Sequence, residues 1–346
     1  MNRIKTFLCY IFLFIVSETF PQTDTGEVHM IFYNTENLFD LTDDPGIADQ
    51  EFTPHGDRRW TARRLNKKLL DISKVLINAA GWEPAQMIFL CEIENRNLLE
   101  RLIQETPLNA YPYALIHKES PDTRGTDVAF LYHREHFYPI NYKYFPVKTQ
   151  EDSLLSTREI LYVSGIIKGA DTVHFFANHW PSRYGGLLES QPLRKLAAQT
   201  LRNQVHELQN RMPDPKIIIT GDFNDQPSDK SMSTILNTKD IPIDGEVNPS
   251  TLYNLSIPWE GKEPGTLKYR SQWSVFDQII VSGSLLQKKN NLCTRQEWAQ
   301  IVQLPFLLEM DERYGGQRPK RTYSGYRYYG GISDHLPVML KLRVTP

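Results

Sequence analysis

Four times in this chain a short, largely apolar run stops at a dense knot of Asn, Asp, Glu or His. Met30-Ile31-Phe32-Tyr33 leads into Asn34-Thr35-Glu36-Asn37, and Met87-Ile88-Phe89-Leu90 into Cys91-Glu92-Ile93-Glu94-Asn95. Val173-His174-Phe175-Phe176 leads into Ala177-Asn178-His179-Trp180-Pro181-Ser182, and Ile217-Ile218-Ile219 into Gly221-Asp222-Phe223-Asn224-Asp225. A fifth knot, Ser333-Asp334-His335, stands before the apolar run that begins at Leu336. Runs this short, rich in β-branched and aromatic residues and bounded by polar, Gly or Pro signals, read as buried strands. A chain that repeats this pattern must bury several strands while leaving their polar ends free to meet. Hard oxygen donors gathered with two histidines suit a Mg²⁺-type site that performs hydrolysis.

Further strand signals lie at 113–117, 127–132, 160–167, 275–281 and 338–342, and the runs above extend over 28–33, 86–91, 172–178 and 216–220. Two helical patterns separate them. Leu65, Leu69, Ile72, Val75 and Leu76 form an apolar stripe over 62–79, and Leu193, Leu196, Ala197, Leu201, Val205 and Leu208 form another over 190–210. Segments 181–186 and 314–331 read as loops from their Gly, Pro and aromatic content. No repeat or linker divides the chain, so the reading is one α+β domain of mixed sheets with helices outside.

Residues 1–20 stand apart. Arg3 and Lys5 precede an apolar run of ten residues from Phe7 to Val16, and a polar exit follows. This is the build of a secretory signal peptide, too short for a spanning helix of roughly 20 apolar residues. A retained anchor is the alternative. The expectation is an exported chain, periplasmic or extracellular, whose domain covers 21–346 and which does not stay inserted in a membrane. Without those 20 residues, 37 basic side chains face 40 acidic ones, a net charge of about −3. That charge argues against broad electrostatic adhesion to nucleic acid but does not exclude a local basic groove. Cys91 reads as a buried free thiol, and pairing with Cys293 stays open.

Each knot has a plain reading beside the chemical one. Glu92 is either a salt-bridged strand-end carboxylate or a metal ligand, and its polar neighbours favour the ligand. Gly221–Asp225 is a turn by composition, which does not conflict with a site held on a loop. Asp222 and Asn224 flank Phe223, so in an extended segment both point to one side. His179 and His335 are the histidines embedded in such knots, and an imidazole suits proton transfer near neutral pH. Asp277, a carboxylate in an apolar strand, and Asp127 are candidates to fix their tautomers.

Taken in order, Tyr33-Asn34-Thr35-Glu36-Asn37, Cys91-Glu92-Ile93-Glu94, Gly125-Thr126-Asp127-Val128-Ala129, Asn178-His179-Trp180-Pro181-Ser182, Gly221-Asp222-Phe223-Asn224, Phe276-Asp277-Gln278-Ile279 and Ser333-Asp334-His335 resemble the endonuclease/exonuclease/phosphatase superfamily. The resemblance runs from about Val28 to Leu342. It implies a four-layer α/β sandwich with two packed mixed sheets and flanking helices, and a monomeric, Mg²⁺-dependent phosphodiesterase, with Mn²⁺ or Ca²⁺ as substitutes. Position by position it implies Asn34, Glu92 and Asp334 on the metal side, with Asp222 and Asn224 holding the phosphate and the water. His335 would be the catalytic histidine oriented by Asp277, and His179 a second one partnered by Asp127. Arg158 looks like a phosphate-contacting arginine. The catalytic Tyr of the abasic-site enzymes is not found, which weighs against a repair role. Arg183, and Arg318 with Arg321 in the basic, aromatic 314–323 loop, are candidate contacts to a nucleic-acid substrate. A loop of that composition is as readily a solvated surface. The leading expectation is an endonuclease with little sequence preference. A lipid or small-molecule phosphodiesterase or phosphatase is the alternative, and a silent binding module is the third reading.

Overall fold

The computed structural model describes residues 26–345 except 82, 150–152 and 154. The expected signal segment lies outside the described residues. β1 (Gly26–Leu38) and β2 (Met87–Ile93) run parallel, joined through α1 (Ala62–Asn78). After α2 (Arg96–Gln104) come β3 (Tyr113–His117), β4 (Asp127–His133), β5 (Phe137–Phe145), β6 (Ile160–Ile167) and β7 (Thr172–His179). Then α3 (Leu187–Arg211) carries the chain to β8 (Ile217–Asp222), parallel to β7. Two strand–helix–strand units therefore anchor the fold, one in each sheet. The seven-stranded sheet runs Leu292–Cys293, Val338–Val344, β1, β2, β4, β3, with Ala299–Ile301 also paired to Val338–Val344. The six-stranded sheet runs β5, β6, β7, β8, Asp277–Ser282, Leu252–Asn254.

Alternation along each strand decides the layers. From β1, Val28, Met30 and Phe32 face the second sheet, where they join Phe89 and Phe130 against Val163, Phe175, Ile218 and Ile279. Ile31 and Tyr33 face the other way, onto Leu65, Leu69, Ile72 and Leu76 of α1 and Leu98 and Leu102 of α2. On the far side Phe176, Ile217, Ile219 and Ile280 meet Ala197, Ala198, Leu201 and Val205 of α3. The result is the four-layer sandwich, helix, sheet, sheet, helix. Strands covered on both faces need apolar residues at every position, which is why these runs do not alternate in sequence.

β5 was not expected. It is an edge strand, with Tyr138, Ile140 and Tyr142 exposed and Pro139 inside it, so it carries neither the buried run nor a clean alternation. α2 was also missed, since nine residues hold too short a stripe; the Asn95 side chain caps it by accepting from the Leu98 N–H at 3.1 Å. Segment 314–331 is not a plain loop. It includes Gln317–Pro319, paired to Leu308–Met310, and the hairpin of Tyr323–Ser324 with Arg327–Tyr328. Cys91 and Cys293 are both buried and free.

Candidate active site

Parallel pairing puts the C-terminal ends of β1 and β2 at one edge of their sheet, and those of β7 and β8 at one edge of the other. Asn34 sits opposite Cys91, next to Glu92, and His179 sits opposite Asp222. The antiparallel Asp277–Ser282 strand starts at this edge, with Asp277 opposite Asp222. Val338 is opposite Phe32, so the residues before it lie over the end of β1, where the Ser333 hydroxyl donates to the Asn34 carbonyl at 2.7 Å. Gly221 is needed for this closeness: a Cβ there would come within 2.4 Å of the Asn178 carbonyl oxygen. Glu36, Asn37, Glu92 and Asn224 all hold left-handed backbone at φ of 51° to 61°. Non-glycine residues rarely adopt that conformation, and such strain gathers at functional sites.

The side chains converge. Asn34 Nδ2 donates to Asp222 Oδ2 at 3.1 Å and to Glu92 Oε1 at 3.3 Å, which links the two sheets. Glu92 Oε2 accepts from the Asn37 N–H at 2.8 Å. His335 Nδ1 meets Asp277 Oδ2 at 2.7 Å, leaving its Nε2 to face the cleft 3.8 Å from Asp222 and 4.0 Å from Asp334. His179 Nε2 lies 3.7 Å from Glu92 and 3.8 Å from Asp222. Asn224 donates its amide to the Trp180 carbonyl at 3.1 Å, and its N–H is accepted by Asp222 at 3.0 Å. Glu92, His179, Asp222, Asn224, Asp334 and His335 line a polar cavity of 280 Å³ together with Arg58, Arg321 and Tyr323.

Burial opposes charge on His335, but the carboxylates of Asp277 and Asp222, the hydrogen bond to Asp277 and the nearby Asp334 prevail and hold its pKa well above the usual histidine value. His179 goes the other way. Burial, then the cations Arg158 and Arg124 and the nearby His335, hold it well below. Burial pushes the Asp222 carboxyl up against the pull of His335. Two imidazoles in one cleft thus sit in opposite electrostatic settings.

Not every expected residue is where the sequence reading put it. Asp127 does not reach His179. Its carboxylate meets His117 Nε2 at 2.9 Å and accepts from the Ser120 N–H at 2.7 Å, because β4 pairs with β3 rather than with β7. His179 Nδ1 is buried without a hydrogen-bond partner among the described residues. Arg158 is no open phosphate contact: it is buried, donating to Asp122 at 3.2 Å and to the Trp180 carbonyl at 2.9 Å. Arg183 is drawn to the Asn224 carbonyl, Asp225 and Asp229, with its guanidinium over the Phe276 ring. Arg318 is held by Glu309, outside the cavity lining. Arg321 does line the cavity, paired to Asp334 at 2.6 Å.

Sequence reasoning passed over several residues of this edge. Glu36 is buried, accepts from the Thr322 N–H at 2.6 Å, and is raised by burial and by Asp334. Lys68 of α1 bonds the Glu36 carbonyl and the Thr322 hydroxyl, fully enclosed. Its signal was available: Lys68 falls three residues after Leu65 and four before Ile72, on the buried stripe of α1. Arg58 lies over the rings of Phe52, Tyr323 and Tyr326, a contact that no local pattern announces.

Among the described residues two acidic gatherings could hold a metal: the Asp222, Asp277 and His335 group, and a separate one of Asp44, Asp49 and Glu94. In the first, the 2.7 Å Asp277–His335 contact is hydrogen-bond geometry, so that carboxylate serves the imidazole.

The profile of the Endonuclease/Exonuclease/phosphatase family matches residues 29–344. The chain belongs to that family, whose members hydrolyse phosphoester bonds. A comparison of the sequence with curated proteins finds no match. Among solved structures, it is similar to a humanized D. rerio TDP2 carrying 14 mutations, with 12% identity, a TM-score of 0.55, and 91% of this chain and 98% of that one covered. An endonuclease/exonuclease/phosphatase family protein from Bacteroides thetaiotaomicron gives 14%, 0.55, 93% and 99%. The mannosyl-6-phosphatase Bt3783 of Bacteroides thetaiotaomicron gives 15%, 0.53, 91% and 99%. At such identities the likeness is one of fold.

Proposed function

We propose that the chain is a Mg²⁺-dependent phosphodiesterase acting on nucleotide-bearing substrates. The observation that carries this reading is the convergence of the Asp277–His335 pair, His179, Asp222 and Glu92 on one small polar cleft. Asn34, Glu92 and Asp334 would hold the ion. Glu92 and Asp334 offer carboxylate oxygens, Asn34 bonds Glu92 through its amide nitrogen, and Arg321 holds one Asp334 oxygen, while among the described residues no Lys or Arg bonds Glu92. When bound, Mg²⁺ supplies positive charge that polarises a non-bridging phosphate oxygen. Asp277 fixes the His335 ring so that Nε2 can hold or pass a proton. Asp222 and Asn224, tied to each other and to Trp180, position the phosphate and the attacking water. The two imidazoles divide proton transfer between the water and the leaving oxygen.

The engaged states of Arg158, Arg183 and Arg318 weigh against a long basic track for a duplex, and favour capture of a single phosphate. Arg58 over Tyr323 and Tyr326, with Arg321 beside it, offers a cationic and aromatic rim on which a base can stack. The compactness of the cavity favours a second reading, hydrolysis of a small sugar or lipid phosphoester. Purified protein with Mg²⁺ against supercoiled DNA, RNA, sphingomyelin and a sugar 6-phosphate tests both. Hydrolysis of a nucleic acid that stops on chelation is the expected result, and activity on the sugar or lipid ester alone selects the second reading. Glu92→Gln should shift the Mg²⁺ activation curve to higher concentration by about tenfold or more, since it removes a charge and keeps the shape. A superimposable curve sinks the assigned metal position.

The basic start and ten-residue apolar run of residues 1–20 support export. The exported protein should begin near Pro21 or Gln22 by mass spectrometry; a chain retaining Met1 inside the cell overturns this.

A further inference from the structure

The segment leaving β1 reads Asp40-Leu41-Thr42-Asp43-Asp44-Pro45-Gly46-Ile47-Ala48-Asp49. It folds back so that Asp44 and Asp49 bring carboxylate oxygens within 4.8 Å of one another and of Glu94, just beyond β2. One oxygen of each buried member is satisfied. Asp49 Oδ2 accepts from the Asp44 N–H at 3.0 Å, and Glu94 Oε2 from the Asp40 N–H at 2.6 Å and the Asn95 amide at 3.2 Å. The other two, Asp49 Oδ1 and Glu94 Oε1, are buried, on residues 1% and 5% exposed, and have no hydrogen-bond partner among the described residues. Among the described residues no Lys, Arg or His forms an ion pair with Asp40, Asp43, Asp44, Asp49 or Glu94. Enclosing carboxylate oxygens together without hydrogen bond or countercharge is costly, and a cation removes that cost.

We propose that Asp44, Asp49 and Glu94 form a second divalent-cation site, separate from the active centre, and that its ion is Ca²⁺. The donors are all oxygen and come from an irregular loop, with half-buried Asp40 and Asp44 able to add oxygens beside water. That suits the six to eight flexible ligands of Ca²⁺ better than the strict octahedron of Mg²⁺. The ion fastens the 40–49 loop to the end of β2. The loop is tied in turn to the 118–126 segment by the Ala48 N–H, which donates to the Thr123 carbonyl at 2.9 Å, and Arg124 of that segment donates to Asn37 of β1, in the cleft lining, at 2.8 Å. Its role is to hold the wall of the cleft in place, with no part in the chemistry.

Titration calorimetry and melting of the chelator-stripped full chain with CaCl₂ test this. The Glu92→Gln background weakens binding at the active centre. There, one Ca²⁺ should still bind and raise Tm by about 4 °C at a hundredfold excess over Kd. Adding Asp49→Asn, or Asp44→Asn at the more exposed position where folding is safer, should abolish both signals. The proposal is overturned if the Glu92→Gln chain binds no Ca²⁺, the outcome expected of a proton shared between Asp49 and Glu94. It is equally overturned if the folded Asp44→Asn/Glu92→Gln chain binds Ca²⁺ with unchanged affinity and Tm response.

Discussion

His335→Gln should lower kcat/KM by between about a hundredfold and ten-thousandfold, the range for losing a positioned proton-transfer group. The imidazole is held by Asp277 at 2.7 Å and presents its second nitrogen to Asp222 and Asp334. Gln offers an amide to Asp277 but cannot move a proton. Ala is the less clean choice. His335 is 5% exposed and Asp277 is fully buried, with Oδ1 already lacking a partner. Truncation would leave that carboxylate enclosed alone, a loss of roughly 3–5 kcal/mol, and would confuse lost folding with lost chemistry. Rates should therefore be compared at equal folded fraction, checked by circular dichroism. Activity within tenfold of the unaltered protein would remove His335 from the mechanism.

Phe89→Ala is expected to be the most damaging kind of core change, costing about 3–5 kcal/mol by lost burial and a residual cavity. The ring is fully buried between the sheets, stacked on Phe130 at a centroid distance of 4.3 Å and tilted against Phe175 of the opposite sheet at 5.3 Å. By contrast Tyr142→Ser, on the exposed edge strand, should fall within about 0.5 kcal/mol of neutral. Urea midpoints decide it. A Phe89→Ala loss below about 1 kcal/mol would mean that the two sheets close over the gap.

Most of the longer strands of both sheets were legible. Tyr113–His117 and Ile160–Ile167 were bounded to the residue, because continuous apolar runs between turn signals admit few other readings. Phe137–Phe145 escaped because an edge strand facing water is free of the constraint that writes a pattern. At the site, the knots of polar residues announced Asn34, Glu92, His179, Asp222 and His335, Asp277 was read as a carboxylate within an apolar strand, and the structure gathers those six. Partners were harder to read. Asp127 was paired with the wrong histidine because strand order, a property of the whole sheet, decides which end faces which. Arg158 and Arg183 were given to the substrate because nothing local says that Asp122 and Asp225 await them. Charge is visible in sequence, but neutralisation is a fact of tertiary structure.

The strand Val338–Val344 is the last in order among the described residues, yet it is an interior member of its sheet, with β1 on one side and Leu292–Cys293 and Ala299–Ile301 on the other. Asp334 and His335 precede it directly. A nascent chain can therefore assemble β7, β8 and the Asp277–Ser282 strand, and expose most of the acidic edge, while still missing the histidine that would make that edge reactive. The partner of β1 arrives only when translation has passed Val344, some three hundred residues after Asn34 left the ribosome. Catalytic competence and closure of the first sheet then come in one step, so a truncated product is both poorly folded and chemically inert.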